Sequence, residues 1–114
     1  MLIVKKFGGT SVADKEHIFN VAKRCLEDYH KGNDVVVVLS AMGKHTDELI
    51  AQAKAINPNP SAREMDMLLS IGEQMSVAFM AMALEAMDVP AVSLNAYQAK
   101  IRTTNEHGNA KITE

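Results

Sequence analysis

Residues 4 to 12, VKKFGGTSV, place Lys6 just before two adjacent glycines, Gly8 and Gly9, at the junction of a predicted strand and a predicted helix. Glycines at such a junction let the backbone approach a ligand and turn its N–H groups toward it. The start of the following helix favours anions, and the lysine adds a full positive charge. The pattern therefore predicts an anion site, although its order differs from the Walker A loop and from the G-x-G-x-x-G fingerprint. A tight turn with Ser11 as helix cap and Lys6 in solvent would explain the same residues.

A second stretch of the same design, LSAMGKHTDEL at residues 39 to 49, runs from a predicted strand through a glycine to a helix. The carboxyl ends of parallel strands share one edge of a sheet, so we expect this stretch to face the first. Ser40 and Thr46 would then hold polar atoms of a ligand bound near the glycine pair. Their alternative roles are structural, with Ser40 at a strand end and Thr46 as the N-cap of the next helix.

Glu73 follows Gly72 in a stretch that is otherwise largely apolar. A carboxylate is costly to bury unless it meets a cation, and the ammonium group of a ligand would serve. The alternative is an exposed glutamate beside a bend, since we expect Gly72 to divide or bend this long helical stretch.

The elements that position these residues follow from hydrophobic periodicity. The sequence predicts a strand over residues 2 to 7 and a helix over residues 12 to 30, with Gly32 as its stop signal. The apolar run of residues 35 to 39 lacks the alternation of a half-exposed strand, so we expect it to be buried on both faces of a parallel sheet. The apolar stripe of the helix consists of Ile18, Val21, Ala22, Cys25, Leu26 and Tyr29.

Two further helices and a third strand are predicted in the second half of the chain. One helix has Thr46 as its N-cap and runs to Ile56, where the sequence NPNP ends it. A capping box formed by Ser61 and Glu64 opens a long methionine-rich helix, whose methionines we expect to be mostly core filler. Pro90 begins a third strand, AVSLNA, and the polar tail after it is typical of a loop or a short hairpin.

This order of strands and helices is that of an α/β fold with right-handed parallel crossovers. Three parallel strands are few for such a fold, so we expect a fragment, or a chain that completes its sheet with another. The 114 residues allow one domain, and the net charge of −2 gives no electrostatic footprint for nucleic acid or an anionic membrane. One cysteine, and no signal-peptide or membrane-span pattern, favour a cytoplasmic protein. The four histidines lack metal-ligand spacing, so we expect no metal site.

Four motifs, KFGGTS, VVVVLSAMGKHTDEL, REMDMLLSIGEQ and NAYQAKIRTTNEHGNAKI, in this order and spacing, resemble the N-terminal part of the aspartate kinases, within the amino acid kinase superfamily. They extend over nearly all of residues 1 to 114. The resemblance implies a parallel-sheet α/β/α sandwich, of which this chain is the N-terminal portion. It also implies phosphoryl transfer from ATP, with Mg²⁺, to the side-chain carboxylate of L-aspartate, the first step toward lysine, threonine and methionine.

The resemblance implies roles for individual residues as well. Lys6 contacts the transferring phosphate, Thr46 binds a carboxylate of aspartate, and Glu73 receives its α-ammonium. The residues implied to bind the phosphates of ATP are Lys6, Phe7, Gly8, Gly9 and Ser40. A substrate carboxylate with a pKa of about 4 is already ionised at neutral pH, so this chemistry requires no general base.

By the same resemblance, the adenine site, a substrate-binding arginine and the regulatory ACT domains of the family lie beyond residue 114. Lys100 and Thr104 stand where many relatives have glycine and aspartate. A kinase acting on glutamate or acetylglutamate is one alternative, and a non-catalytic anion-binding or assembly module is another. The expected partners are L-aspartate and MgATP, with a homo-oligomer or pairing to a C-terminal part.

Overall fold

The computed structural model describes residues 1–113 and has the alternation of strands and helices that the sequence predicts. Its elements are β1 (Leu2–Phe7), α1 (Lys15–His30), β2 (Asp34–Leu39), α2 (His45–Ile56) and α3 (Ala62–Ala86), with a short 3-10 turn at Gly9–Val12 between β1 and α1. The α/β class is therefore confirmed.

The sheet consists of β1 and β2, which pair in parallel with α1 as the crossover between them. Val35 and Val37 pack against the core, whereas Val36 and Val38 are 46% and 44% exposed. The expectation that residues 35 to 39 are buried on both faces is therefore wrong. Within residues 1–113 the helices cover one face of the sheet, so alternate side chains remain open to solvent.

The prediction of a third strand is also wrong, because residues 91 to 96 form no strand in the described part of the chain. A strand exists only through hydrogen bonds to a neighbour, and this segment pairs with neither β1 nor β2. Pro90 lacks a donor for such a ladder. Val92 is consequently 80% exposed.

Helix α1 begins at Lys15 rather than near residue 12, because Asp14 caps it by accepting a hydrogen bond from the backbone N–H of His17 at 2.9 Å. The predicted apolar stripe supplies its buried residues, which are Ile18, Val21, Ala22 and Cys25. Gly32, with φ of 89°, ends the helix as predicted.

Helix α2 begins one residue before Thr46, so Thr46 is not its N-cap. The cap position belongs to Lys44, whose side chain makes no capping hydrogen bond. The N–H of His45 instead donates to the carbonyl of Met42 at 2.8 Å, which tightens the turn into the helix. The predicted end at Ile56 is correct.

Helix α3 begins where predicted, since the Ser61 hydroxyl accepts a hydrogen bond from the Glu64 N–H at 3.3 Å. Gly72 does not divide it, and the helix runs unbroken through 25 residues. Its inner face contributes Met80, Ala83 and Leu84 to the core shared with α1 and β2.

The methionines of α3 are mostly not core filler, contrary to the sequence-based expectation. Met80 is buried, but Met67 and Met82 are 58% and 60% exposed. They belong to an outward apolar stripe, defined by Met67, Ile71, Met75, Phe79 and Met82. In length and hydropathy α3 could also cross a membrane, a weak indication because core helices of soluble proteins pass the same test.

The tail forms a short antiparallel bridge between Thr103 and Ile112, which confirms the predicted loop or hairpin. It lies against the beginning of α3, where the N–H of Gly108 donates to the Asp66 carboxylate at 2.8 Å.

Candidate functional site

The two glycine-bearing loops meet at one edge of the sheet, as the sequence predicts. Phe7 pairs with Leu39 at the carboxyl ends of β1 and β2, so the chain leaves the strands side by side at Gly8 and Ser40. The N–H of Gly43 donates to the carbonyl of Gly9 at 2.9 Å. This hydrogen bond joins the loop after β1 to the loop after β2.

The adjacent glycines have different structural roles. A Cβ atom at Gly9 would lie 2.8 Å from the carbonyl oxygen of Ala41 and 3.2 Å from that of Gly43, so only glycine lets the two loops approach this closely. A Cβ atom at Gly8 would have no neighbour within 4 Å. Gly8 is exposed and leaves open space above the backbone, as a bound phosphate would need.

Neighbouring lysines of β1 point to opposite faces of the sheet because side chains alternate along a strand. Lys5 is partly buried and forms an ion pair with Asp28 of α1. Lys6 is exposed on the open face, beside Val38 of β2. Lys6 is therefore available to a ligand at the edge of the sheet, whereas Lys5 fastens α1 to β1. Phe7 packs against the core, which leaves its backbone as the part available to a ligand.

Helix α3 reaches this edge at Gly72. A Cβ atom at Gly72 would lie 3.0 Å from the Cβ of Ala41 and 3.6 Å from Nδ1 of His45. Glu73 follows Gly72 and is exposed, so the alternative of an exposed glutamate describes its present environment. Thr46 is half-buried in the first turn of α2, one residue after His45.

The predicted site residues thus lie on five neighbouring segments: the end of β1, the two loops, the first turn of α2 and the middle of α3. Within residues 1–113, no side-chain hydrogen bond or ion pair engages Lys6, Ser40, Thr46 or Glu73, so these groups remain available to a ligand.

Behind the first loop, Asp14 and His17 form an exposed pair at the start of α1. The Asp14 carboxylate lies 2.7 Å from Nδ1 of His17. The hydrogen bond to Asp14 raises the pKa of His17, and the backbone and side-chain hydrogen bonds from His17 lower the pKa of Asp14. Burial raises the pKa of the Cys25 thiol deeper along the same helix.

Sequence reasoning missed the residues that hold the segments together, namely Ala41, Gly43 and Gly72. Gly43 has a φ of 52°, and Gly72 permits close packing rather than a bend. The two glycines stand out in the sequence, but the contacts of these three residues involve residues far apart along the chain. In residues 1–113 no three His, Cys, Asp or Glu side chains are grouped to bind a metal ion.

This arrangement offers backbone amides and a lysine for a phosphate, with hydroxyl groups and a carboxylate nearby for a second, polar ligand. Such a site can align a phosphate with an acceptor and screen its charge.

Comparison with known proteins gives consistent results. The chain is 60% identical over 111 residues to "Aspartokinase" of Geobacillus stearothermophilus, which covers 97% of this chain and 27% of that protein. It is 56% identical over 113 residues to "Aspartokinase 2" of Bacillus subtilis, covering 99% and 28%. The crystal structure of aspartate kinase from Synechocystis superposes with a TM-score of 0.80 at 56% identity, covering 82% of this chain and 16% of that one.

The chain therefore spans about 27% of the length of the curated relatives it matches. The structural likeness confirms that its α/β fold is of the amino acid kinase type. The model of the amino acid kinase family matches residues 1–114, that is, the whole chain. The chain belongs to the amino acid kinase family.

Proposed function

We propose that this chain is the N-terminal part of an aspartate kinase domain, which transfers a phosphoryl group from ATP to the β-carboxylate of L-aspartate and forms 4-phospho-L-aspartate. One observation carries the proposal. The hydrogen bond between Gly43 and Gly9 joins an open glycine loop beside Lys6 to a loop bearing Ser40, at the edge that α3 reaches at Gly72, the residue before Glu73. The names of the matched relatives support the choice of aspartate.

Lys6 and the amides of Phe7, Gly8 and Gly9 bind the phosphates in this proposal, together with Ser40. The exposure of Lys6 and the open space above Gly8 support these roles. An ammonium group and oriented N–H groups stabilise the charge that develops on a transferring phosphoryl group.

Thr46 and Glu73 bind L-aspartate in the same proposal. The Thr46 hydroxyl donates to a carboxylate of the substrate, and Glu73 pairs with its α-ammonium. Both side chains are accessible, on helices that meet at Gly72 and His45. Because the β-carboxylate is already ionised at neutral pH, it attacks the γ-phosphorus without a general base, and ADP leaves with the electrons of the broken P–O bond.

The residues present fit Mg²⁺ that arrives with the nucleotide. Mg²⁺ keeps several water ligands and binds mainly through substrate phosphates, so it needs no cage of protein carboxylates. When bound, it would neutralise phosphate charge. We further propose that the enzyme is cytoplasmic and that segments outside this chain supply the adenine site.

A homo-oligomer is part of the proposal, because the apolar stripe of α3 is open to solvent. We expect the 114-residue chain to elute in size-exclusion chromatography with light scattering at more than the mass of one copy. A compact monomer at all concentrations would contradict assembly through this stripe.

The test of function uses the full-length protein that contains this chain. A coupled assay of ADP release should show turnover with L-aspartate and little with L-glutamate or N-acetyl-L-glutamate. Equal or better turnover with either alternative would overturn the assignment of aspartate.

A further inference from the structure

Ala41 lies between the glycine loop and α3 and contacts both. It is buried, with 6% of its surface exposed. Its carbonyl oxygen would lie 2.8 Å from a Cβ at Gly9, and its own Cβ would lie 3.0 Å from a Cβ at Gly72. One residue therefore separates the segment that carries Lys6 from the helix that carries Glu73.

Neither contact has room for another atom. Carbon atoms in ordinary contact are about 3.5–4.0 Å apart, so the 3.0 Å separation at Gly72 is too short for a second methyl group. The methyl group of alanine cannot rotate out of the way. An added atom at residue 72 would have to displace α3 or the loop, because densely packed interiors transmit such shifts.

We infer that Gly72 and Ala41 are positioning residues, which set the distance between Glu73 and the phosphate-binding loops. This inference rests on the proposed function, since the ligand of Glu73 is the ammonium group of L-aspartate. A wider separation moves the ammonium site away from the phosphates while the loops keep their own hydrogen bond. The displacement therefore affects L-aspartate more than ATP.

The experiment compares Gly72→Ala, Ala41→Gly and the double variant in the full-length protein. We expect Gly72→Ala to raise the KM for L-aspartate about three- to tenfold, with the KM for ATP changed by less than about twofold, because small misplacements weaken an aligned site. Ala41→Gly removes the methyl group that the new Cβ meets. The KM for L-aspartate of the double variant should therefore return to that of Ala41→Gly alone.

Gly9→Ala provides the matched control for this rescue. Its Cβ meets the carbonyl oxygen of Ala41, a backbone atom that Ala41→Gly does not remove. Adding Ala41→Gly to Gly9→Ala should therefore not restore the kinetic constants that Gly9→Ala changes. A purely structural role for Gly72 would lower thermal stability without separating the two KM values.

The outcomes separate this inference from the proposed function. A wild-type protein without aspartate-dependent ADP release overturns the proposed function. An active wild type whose folded Gly72→Ala variant keeps its KM for L-aspartate, or is not rescued by Ala41→Gly, overturns the inference alone. If Gly72→Ala fails to fold, Ala41→Ser adds one atom to the same contact from the other side. This variant must then raise the KM for L-aspartate while leaving the KM for ATP nearly unchanged.

Discussion

At the scale of single residues, Lys100 occupies a backbone conformation that disfavours its side chain. Its φ is 61°, in the left-handed region that favours glycine. The N–H of Lys100 donates to the carbonyl of Tyr97 at 3.0 Å, and that of Ile101 donates to Ala96 at 3.0 Å. These two hydrogen bonds form a Schellman motif with Lys100 at the position where glycine is usual. Glycine would adopt this conformation without the strain that the lysine side chain brings.

Lys100→Gly should therefore stabilise the protein. We expect the free energy of unfolding to rise by about 0.5–1 kcal/mol, because the relief of the left-handed strain exceeds the added entropy of glycine in the unfolded chain. Urea denaturation measures the change. The control is Lys31→Gly, at an exposed position with a φ of −79°, which should be destabilising. Equal effects of the two substitutions would contradict the argument.

The pair of Asp14 and His17 should respond to pH. The side-chain hydrogen bond to Asp14 raises the pKa of His17 above 6.5, and the backbone and side-chain hydrogen bonds from His17 lower the pKa of Asp14 below 3.8. The contribution of His17 to stability is complete below 6.5 and is lost as the pH rises through its raised pKa. That of Asp14 is complete above 3.8 and is lost as the pH falls through its lowered pKa. The pair therefore stabilises α1 most between these two values.

Asp14→Asn keeps a capping side chain but removes the negative charge, so it should lower the pKa of His17. An NMR titration of the His17 ring follows this change directly. The measurement would speak against the pair if the His17 titration curve were the same with and without the carboxylate.

At the scale of elements, substitutions at the two glycines of the first loop should have different effects, one on ligand binding and the other on stability. Gly8 has a φ of −77° and no neighbour within 4 Å of an added Cβ, so Gly8→Ala should change stability by less than about 1 kcal/mol. Gly9→Ala should cost about 1–3 kcal/mol, because its Cβ meets backbone atoms of the second loop. Thermal denaturation distinguishes the two variants. In the full-length protein, a folded Gly8→Ala variant should still raise the KM for ATP, since the new methyl group projects toward the proposed phosphates.

The sequence predicted the central residues of the helices better than the residues at which the helices begin. The stripe of α1 and the Ser61 cap of α3 are local patterns, and both are confirmed except for Tyr29, which is exposed. The starts of α1 and α2 were wrong because several adjacent residues could serve as caps. Asp14, and not Ser11, caps α1 because it accepts a hydrogen bond from His17. The turn at Met42 starts α2 before Thr46. Periodicity does not rank such competing local hydrogen bonds.

At the scale of the whole molecule, the sequence could not predict what covers the sheet. The run of residues 35 to 39 is uniformly apolar, yet Val36 and Val38 face an uncovered side. Residues 91 to 96 have strand-like composition, yet they pair with no strand among residues 1–113. Burial and pairing depend on distant segments, and periodicity within one segment does not identify them. The meeting of the two glycine-bearing loops was predictable because they follow the two strands whose parallel pairing the sequence indicates.

The 114-residue chain alone should bind ligands at its site but should not catalyse phosphoryl transfer. The chain contains the proposed site residues Lys6, Thr46 and Glu73 and the glycine amides, but none of its residues is assigned to bind adenine. It spans about 27% of the length of the relatives it matches. Phosphoryl transfer needs both reactants in line and charge neutralised around the phosphate, and the loss of one oriented electrostatic partner costs on the order of a hundredfold in rate. We expect the purified 114-residue chain to show no steady aspartate-dependent ADP release, under conditions where the full-length protein is active. Steady release from the chain alone, abolished by Lys6→Ala, would mean that the catalytic residues lie within these 114 residues after all.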